Sequence, residues 1–203
     1  MVVITSSGAV TGRGHREVAE AAIVGGAGTV QLRAPEMPDE DLLPLAVVLA
    51  DRCSQGNVML IVNNRLEVAV TSGADGAHVG QTDGYQGARE LLGAEPILGV
   101  SVRGPADVAD AEAAGADYLG VTVWGTPTKP EAKPAGLEGL RATASATHLP
   151  VVGIGGIDAG NAAKVIEAGA AGVAIVSSVG EASDPVTTTR ELVLAVQEAK
   201  AAQ

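Results

Sequence analysis

No phenylalanine occurs in this chain, and its aromatic residues are Tyr85, Tyr118 and Trp124. A core must therefore be built from valine, isoleucine, leucine and alanine, the residues that fill parallel β-barrels. The single cysteine, Cys53, excludes an internal disulfide framework and fits a reducing compartment. Cations are scarce: 13 Lys and Arg stand against 24 Asp and Glu, a formal net charge of −11. So acidic a surface argues against a nucleic-acid or anionic-membrane partner, and it makes any local gathering of basic side chains informative. No apolar run approaches the roughly 20 residues that span a bilayer. Residues 1–5 are too short an apolar run, and lack the basic flank, for a signal peptide. The expectation is a cytoplasmic protein.

Other absences narrow the chemistry. There is no Ser-His-Asp arrangement and no His/Cys cluster with metal spacing, which speaks against covalent hydrolysis and zinc chemistry. No G-x-G-x-x-G follows the first strand, where Thr5-Ser6-Ser7-Gly8 stands instead, so a dinucleotide-binding sheet is a weak alternative.

What is present is a regular alternation. Short β-branched runs at residues 2–5, 29–33, 59–63, 76–79, 97–101, 118–123, 151–154 and 172–176 read as strands. Ala/Leu-rich amphipathic patterns at 15–24, 39–54, 65–72, 85–92, 105–114, 136–147, 161–168 and 185–201 read as helices. Such alternation implies a parallel sheet. Eight strand-helix pairs in 203 residues leave only short loops, so a closed (β/α)8 TIM barrel forming one domain, residues 1–203, is expected. The length is a little below the usual barrel size of about 250. It still suffices to bury around 70% of the unfolded surface without disulfides or metal. The triplets Gly73-Ala74-Asp75, Gly115-Ala116-Asp117 and Gly169-Ala170-Ala171 read as helix C-caps on the face opposite the chemistry, with Asp75 and Asp117 structural.

Barrel chemistry sits where the strands finish, and here those ends are polar. Strand 2 delivers Gln31 and Arg33 on one side of the sheet, strand 3 ends at Asn63-Asn64-Arg65, strand 4 runs into His78-Val79-Gly80-Gln81-Thr82-Asp83, and strand 5 ends at Ser101. The loop after strand 6 carries Trp124-Gly125-Thr126-Pro127-Thr128-Lys129. Strand 7 gives Gly155-Gly156, and strand 8 gives Val176, Ser177 and Ser178. Glycines there admit a phosphate to backbone N–H groups, and a following helix N-terminus favours the anion; tight turns alone are the other reading. Arg33 and Lys129 are candidate phosphate ligands, with hydroxyls of Ser101, Thr126 and Thr128 in support; Arg33 paired to Glu36 is the structural alternative. Asp83 is a candidate Mg2+ ligand, since Mg2+ keeps waters and takes oxygens from substrate phosphates; its alternative is a cap for the helix near Tyr85. His15 and His148 are expected on the surface, and His78 is expected to be a hydrogen-bonded structural residue.

Together, Gln31-Leu32-Arg33, Ile61-Val62-Asn63-Asn64-Arg65, Ala74-Asp75-Gly76-Ala77-His78-Val79-Gly80-Gln81-Thr82-Asp83, Gly99-Val100-Ser101, Thr126-Pro127-Thr128-Lys129, Gly153-Ile154-Gly155-Gly156-Ile157 and Val176-Ser177 resemble, in order, the motifs of the thiamine-phosphate synthases. The resemblance covers essentially the whole chain. It implies a transferase of thiamine biosynthesis that joins hydroxymethylpyrimidine diphosphate to thiazole phosphate and releases pyrophosphate, by dissociative substitution assisted by Mg2+. It further implies that Gln31, Arg33, Asn63, Ser101 and Lys129 hold the pyrimidine diphosphate, with Lys129, Ser101 and Arg33 as catalytic residues. Thr126, Pro127, Thr128, Gly155, Gly156, Val176 and Ser177 would receive the thiazole phosphate, and Asp83, with Asn64, the metal. The partners implied are small phosphorylated substrates, with self-association into a homo-oligomer left open.

Two positions depart from the family pattern: Pro35 stands where a lysine is usual, and Asn64 where an aspartate is usual. Charge-assisted contacts contribute about 1.5–3 kcal/mol each, so both changes bear on diphosphate and metal binding. A thiazole tautomerase of the same superfamily would need a histidine in the strand-6 region, where Thr122 stands; its metal-loop acid tends to be lost, whereas Asp83 remains. A non-catalytic phosphate-binding barrel would be consistent with Pro35 and Asn64. A phosphoribosyl-using isomerase barrel would share the C-terminal grip but give no reason for Asp83 or Thr126–Lys129.

Overall fold

Short β-branched segments alternate with helices, and the strands close on themselves. The structure is a computed structural model and describes residues 1–6, 11–80, 84–125 and 133–203. Strands β1 (Val2–Ile4), β2 (Thr29–Leu32), β3 (Met59–Asn63), β4 (Gly76–Val79), β5 (Ile97–Val102), β6 (Tyr118–Thr122), β7 (Val151–Ile154) and β8 (Gly172–Ile175) pair in parallel, in sequence order. β8 returns to β1 through Val2↔Ala174 and Val3↔Ile175, so the sheet is a closed eight-stranded barrel. Around it lie α1 (His15–Gly25), α2 (Asp39–Gln55), α3 (Leu66–Ser72), α4 (Ala88–Leu92), α5 (Val108–Ala113), α6 (Gly136–Ser145), α7 (Ala162–Glu167), α8 (Ser177–Gly180) and α9 (Pro185–Ala201). The fold is the expected (β/α)8 TIM barrel.

Alternation along the strands divides the side chains between two environments. Val30, Leu32, Leu60, Val62, Ala77, Val79, Leu98, Val100, Leu119, Val121, Val173 and Ile175 pack with helix residues such as Leu42, Leu49, Leu140, Ile166 and Leu192 in one apolar layer. The apolar core is thus the ring between strands and helices. The alternate residues, including Gln31, Asn63, His78, Ser101 and Tyr118, supply the barrel interior with polar groups that hydrogen-bond one another across strands.

The face at the strand N-termini is held by two aspartates. Asp75 Oδ2 accepts the main-chain N–H of Leu60 at 2.7 Å, and Asp117 Oδ2 accepts that of Leu98 at 2.7 Å. Arg89 completes the second clamp: it pairs with Asp117 and donates to the carbonyls of Gly93, Pro96 and Gly115. Gly73, at φ 72°, caps α3 in the left-handed conformation, as the triplet pattern implies.

Three expectations change. The fourth helix begins at Ala88 and not near Tyr85, because Gly84 and Gly87 adopt φ of 70° and 78°, outside any right-handed helix. α8 was not expected; four residues are too few to show a helical period. His15 is buried, not on the surface, with its ring turned from the start of α1 onto Thr5; His148 is exposed as expected. Replacing Asp75 by alanine leaves the N–H of fully buried Leu60 without its carboxylate acceptor. Equilibrium unfolding in denaturant should then show about 1–3 kcal/mol lower stability.

Candidate functional site

The C-terminal mouth of the barrel collects the polar strand ends. Asn63 Nδ2 donates to Gln31 Oε1 and to the His78 carbonyl, both at 3.3 Å. Tyr118 lies 2.9 Å from His78 Nδ1, and His78 Nε2 lies 2.8 Å from Ser101 Oγ. In a neutral His78 ring one nitrogen donates and the other accepts, so Tyr118 and Ser101 take opposite roles toward it. Burial pushes the Tyr118 hydroxyl well above the ordinary phenol range, partly offset by Gln31, so it stays protonated in this chain of bonds.

A glycine makes this arrangement possible. A Cβ on Gly99 would stand 2.2 Å from Tyr118 Cζ and 2.4 Å from His78 Nδ1. The bare backbone of β5 therefore gives the two rings their space, with centroids 5.4 Å apart. His78 has the hydrogen-bonded role expected for it. That Tyr118 reaches into the same network was missed: it is the first residue of β6, and alternation places it on the same side as Gly120 and Thr122.

Arg33 follows β2 at the rim. Among the described residues its guanidinium forms no ion pair, so Glu36 is not its partner. Arg65 is committed elsewhere, 3.3 Å from Asp39 Oδ1 and donating to the Pro35 carbonyl at 3.4 Å. Asn64, in the left-handed region at φ 61°, accepts the Gly80 N–H with its Oδ1 at 2.8 Å and so fixes the start of the loop leading to Asp83.

Across the mouth, Gly155 and Gly156 have φ of 94° and 63°, and a Cβ on Gly155 would lie 2.4 Å from the Trp124 carbonyl oxygen. Asn161 Nδ2 donates to the Gly156 carbonyl at 2.9 Å. Ser178 donates to the Ile157 carbonyl at 2.8 Å, which joins α8 to the same turn and gives that hydroxyl a structural task. Thr11 donates to the Gly180 carbonyl, and Arg13 to those of Ala182 and Ser183, so the loop before α1 braces the far end of α8.

A family model described as thiamine monophosphate synthase matches residues 1–179. The chain belongs to the thiamine monophosphate synthase family. A thiamine-phosphate synthase of Chloroflexus aurantiacus is 45% identical over 195 residues, 95% of this chain and 90% of that protein. One from Laribacter hongkongensis is 47% identical over 182 residues, 88% of this chain and 86% of that protein. The solved thiamine phosphate pyrophosphorylase from Pyrococcus furiosus superposes with a TM-score of 0.90 at 33% identity, covering 98% of this chain and 95% of the other.

Of the residues that the family resemblance selects, the structure brings Gln31, Asn63 and Ser101 into one hydrogen-bonded set and places Arg33 at the adjoining rim. Gly155 and Gly156 end β7, and Val176 and Ser177 lead from β8 into α8. Asp83, Thr126, Pro127, Thr128 and Lys129 lie outside the described residues. Among the described residues no group of three or more His, Cys, Asp or Glu is placed to hold a metal ion. The described part of the expected metal site is the Asn64 carbonyl oxygen, already one hydrogen bond deep. Replacing Gly155 by alanine forces a side chain into the left-handed region and onto the Trp124 carbonyl. Thermal or denaturant unfolding should show a loss of about 2–4 kcal/mol, from backbone strain and overpacking together.

Proposed function

We propose that this barrel is a thiamine-phosphate synthase whose mouth holds the pyrimidine diphosphate over the hydrogen-bonded set of Gln31, Asn63, His78, Tyr118 and Ser101, and the thiazole phosphate at the β7 and β8 ends. The observation that carries the reading is that network, with the partnerless cation of Arg33 at the adjoining rim among the described residues. A pyrimidine ring has ring nitrogens that accept and an amino group that donates. The Ser101 hydroxyl and the Gln31 amide can each donate and accept, so they meet such a ring with complementary groups.

The reaction breaks the bond between the pyrimidine methylene carbon and the diphosphate oxygen. The electron pair leaves with pyrophosphate, and the thiazole nitrogen lone pair then bonds to the carbon. No protein nucleophile or strong base is required. The chain's part is to bind, orient and stabilise charge: Arg33 and Lys129 take the leaving diphosphate, and the β7 and β8 ends hold the thiazole nitrogen in line. Asp83 with Asn64 would hold Mg2+, which would supply further charge neutralisation for the leaving diphosphate. A single carboxylate suits an ion that keeps its waters and takes phosphate oxygens. The turn at Gly155-Gly156 and the first N–H groups of α8, which helix geometry leaves without intrahelical partners, suit the thiazole phosphate.

Thr122, on the interior side of β6, carries no group able to move a proton at neutral pH, which favours this reading over a tautomerase. A single domain over residues 1–203, a cytoplasmic setting, small phosphorylated substrates in place of nucleic acid, and open self-association complete the proposal. No helix among the described residues is long and apolar enough to cross a membrane. Incubation with both substrates and Mg2+ should release thiamine phosphate and pyrophosphate in equal amounts. Arg33→Ala should lower kcat/KM about 10- to 100-fold, the loss of one charge-assisted contact. Absence of product at high enzyme concentration, with thiazole phosphate still bound, would overturn the assignment.

A further inference from the structure

Thr5 follows β1 and is fully buried. Its main-chain N–H donates to the Gln31 carbonyl at 2.8 Å, and its Oγ1 accepts the main-chain N–H of Arg33 at 3.2 Å. One residue therefore holds both ends of Gln31-Leu32-Arg33, the stretch that presents two side chains to the mouth. The hydroxyl has one more contact: His15 Nδ1, 2.9 Å away on the first residue of α1.

That geometry fixes the proton. A buried hydroxyl hydrogen needs an acceptor, and the Arg33 N–H is a donor. His15 Nδ1 is then the acceptor, which requires a neutral imidazole with its hydrogen on Nε2. The surroundings favour neutrality: His15 opens a helix, where the dipole disfavours a cation, and burial lowers its pKa.

We propose that His15 is a positioning residue for the diphosphate-binding end of β2: its Nδ1 takes the Thr5 hydroxyl proton and thereby turns an Oγ1 lone pair onto the Arg33 N–H. The imidazole touches no substrate and acts through Thr5. Without the Nδ1 acceptor, the hydroxyl rotates toward another one, the Arg33 N–H loses its fixed partner, and the backbone that presents the Arg33 side chain is no longer held. The proposal rests on reading that mouth as the diphosphate site.

The test joins spectroscopy to kinetics. Nitrogen NMR of the histidine-labelled protein should show His15 as the Nε2–H tautomer near neutral pH; an Nδ1–H tautomer overturns the proposal. His15→Leu and Thr5→Val should each raise KM for the pyrimidine diphosphate about three- to tenfold, the range of one hydrogen bond. KM for the thiazole phosphate should stay within about twofold. The double variant should be no worse than either single one, because both break the same link. His15→Asn, whose Oδ1 can take the Thr5 proton, should restore KM. A fall in Tm with unchanged KM, equal losses toward both substrates, or no rescue by asparagine shows a merely structural histidine. Calorimetric titration with pyrophosphate separates this from the assignment of the reaction. If the wild type makes no product but His15→Leu still weakens pyrophosphate binding, the positioning holds and the reaction assignment fails; equal affinity in both proteins sinks the positioning.

Discussion

An imidazole bonded at both ring nitrogens inside a β-barrel is the constraint on which this molecule's site depends. His78 sits between Tyr118 and Ser101 at 2.9 and 2.8 Å, over a strand that Gly99 leaves bare. Leaving a polar group unpaired in such a place costs roughly 1–3 kcal/mol, so each member must be satisfied by the next. The result is a connected set, with Asn63 bonded to Gln31 and to the His78 carbonyl, and the His78 ring bonded to Tyr118 and Ser101. A polar interior of this kind contributes little to apolar burial. Stability comes from the separate ring of aliphatic side chains between strands and helices, which explains how the chain manages without phenylalanine.

The two layers divide labour between the ends of the barrel as well. At the strand N-termini, Asp75 and Asp117 accept main-chain N–H groups, and Arg89 fastens the second clamp. At the C-terminal mouth the hydrogen bonds instead hold loops in place: Asn64 to Gly80, Asn161 to Gly156, Ser178 to Ile157, Arg13 to Ala182 and Ser183. A chain with net charge −11 repels anionic substrates at long range, so a cation at the mouth without a carboxylate partner among the described residues matters more here than it would on a neutral surface.

Much of this was legible in the sequence. The strands are β-branched runs between glycine-ended helices, and their polar ends could be read because side chains alternate along a strand. Gln31 and Arg33 fell on one side by that rule alone, and the roles of Asp75 and Asp117 followed from the helix-capping triplets they close. What was illegible depended on long-range contact. Tyr118 enters the site only because Gly99, nineteen residues earlier in the chain, vacates the space beside it. His15 reads as a helix-surface residue, and only the closure of β1 against α1 buries it on Thr5. α8 is a single turn and carries no periodic signal, while the late start of α4 turns on the left-handed backbone at Gly84 and Gly87.

If the hydrogen-bonded network is the floor of a pyrimidine site, the cationic rim is the place for its diphosphate. A crystal structure with the pyrimidine diphosphate bound tests this arrangement most directly. The expected result is a ring inside the mouth with its nitrogens at hydrogen-bond distance, about 3 Å, from Ser101 Oγ and the Gln31 amide. The phosphates should lie against the Arg33 guanidinium. A ring bound outside the barrel, or one seated in the mouth without touching Ser101 or Gln31, would rule out this site.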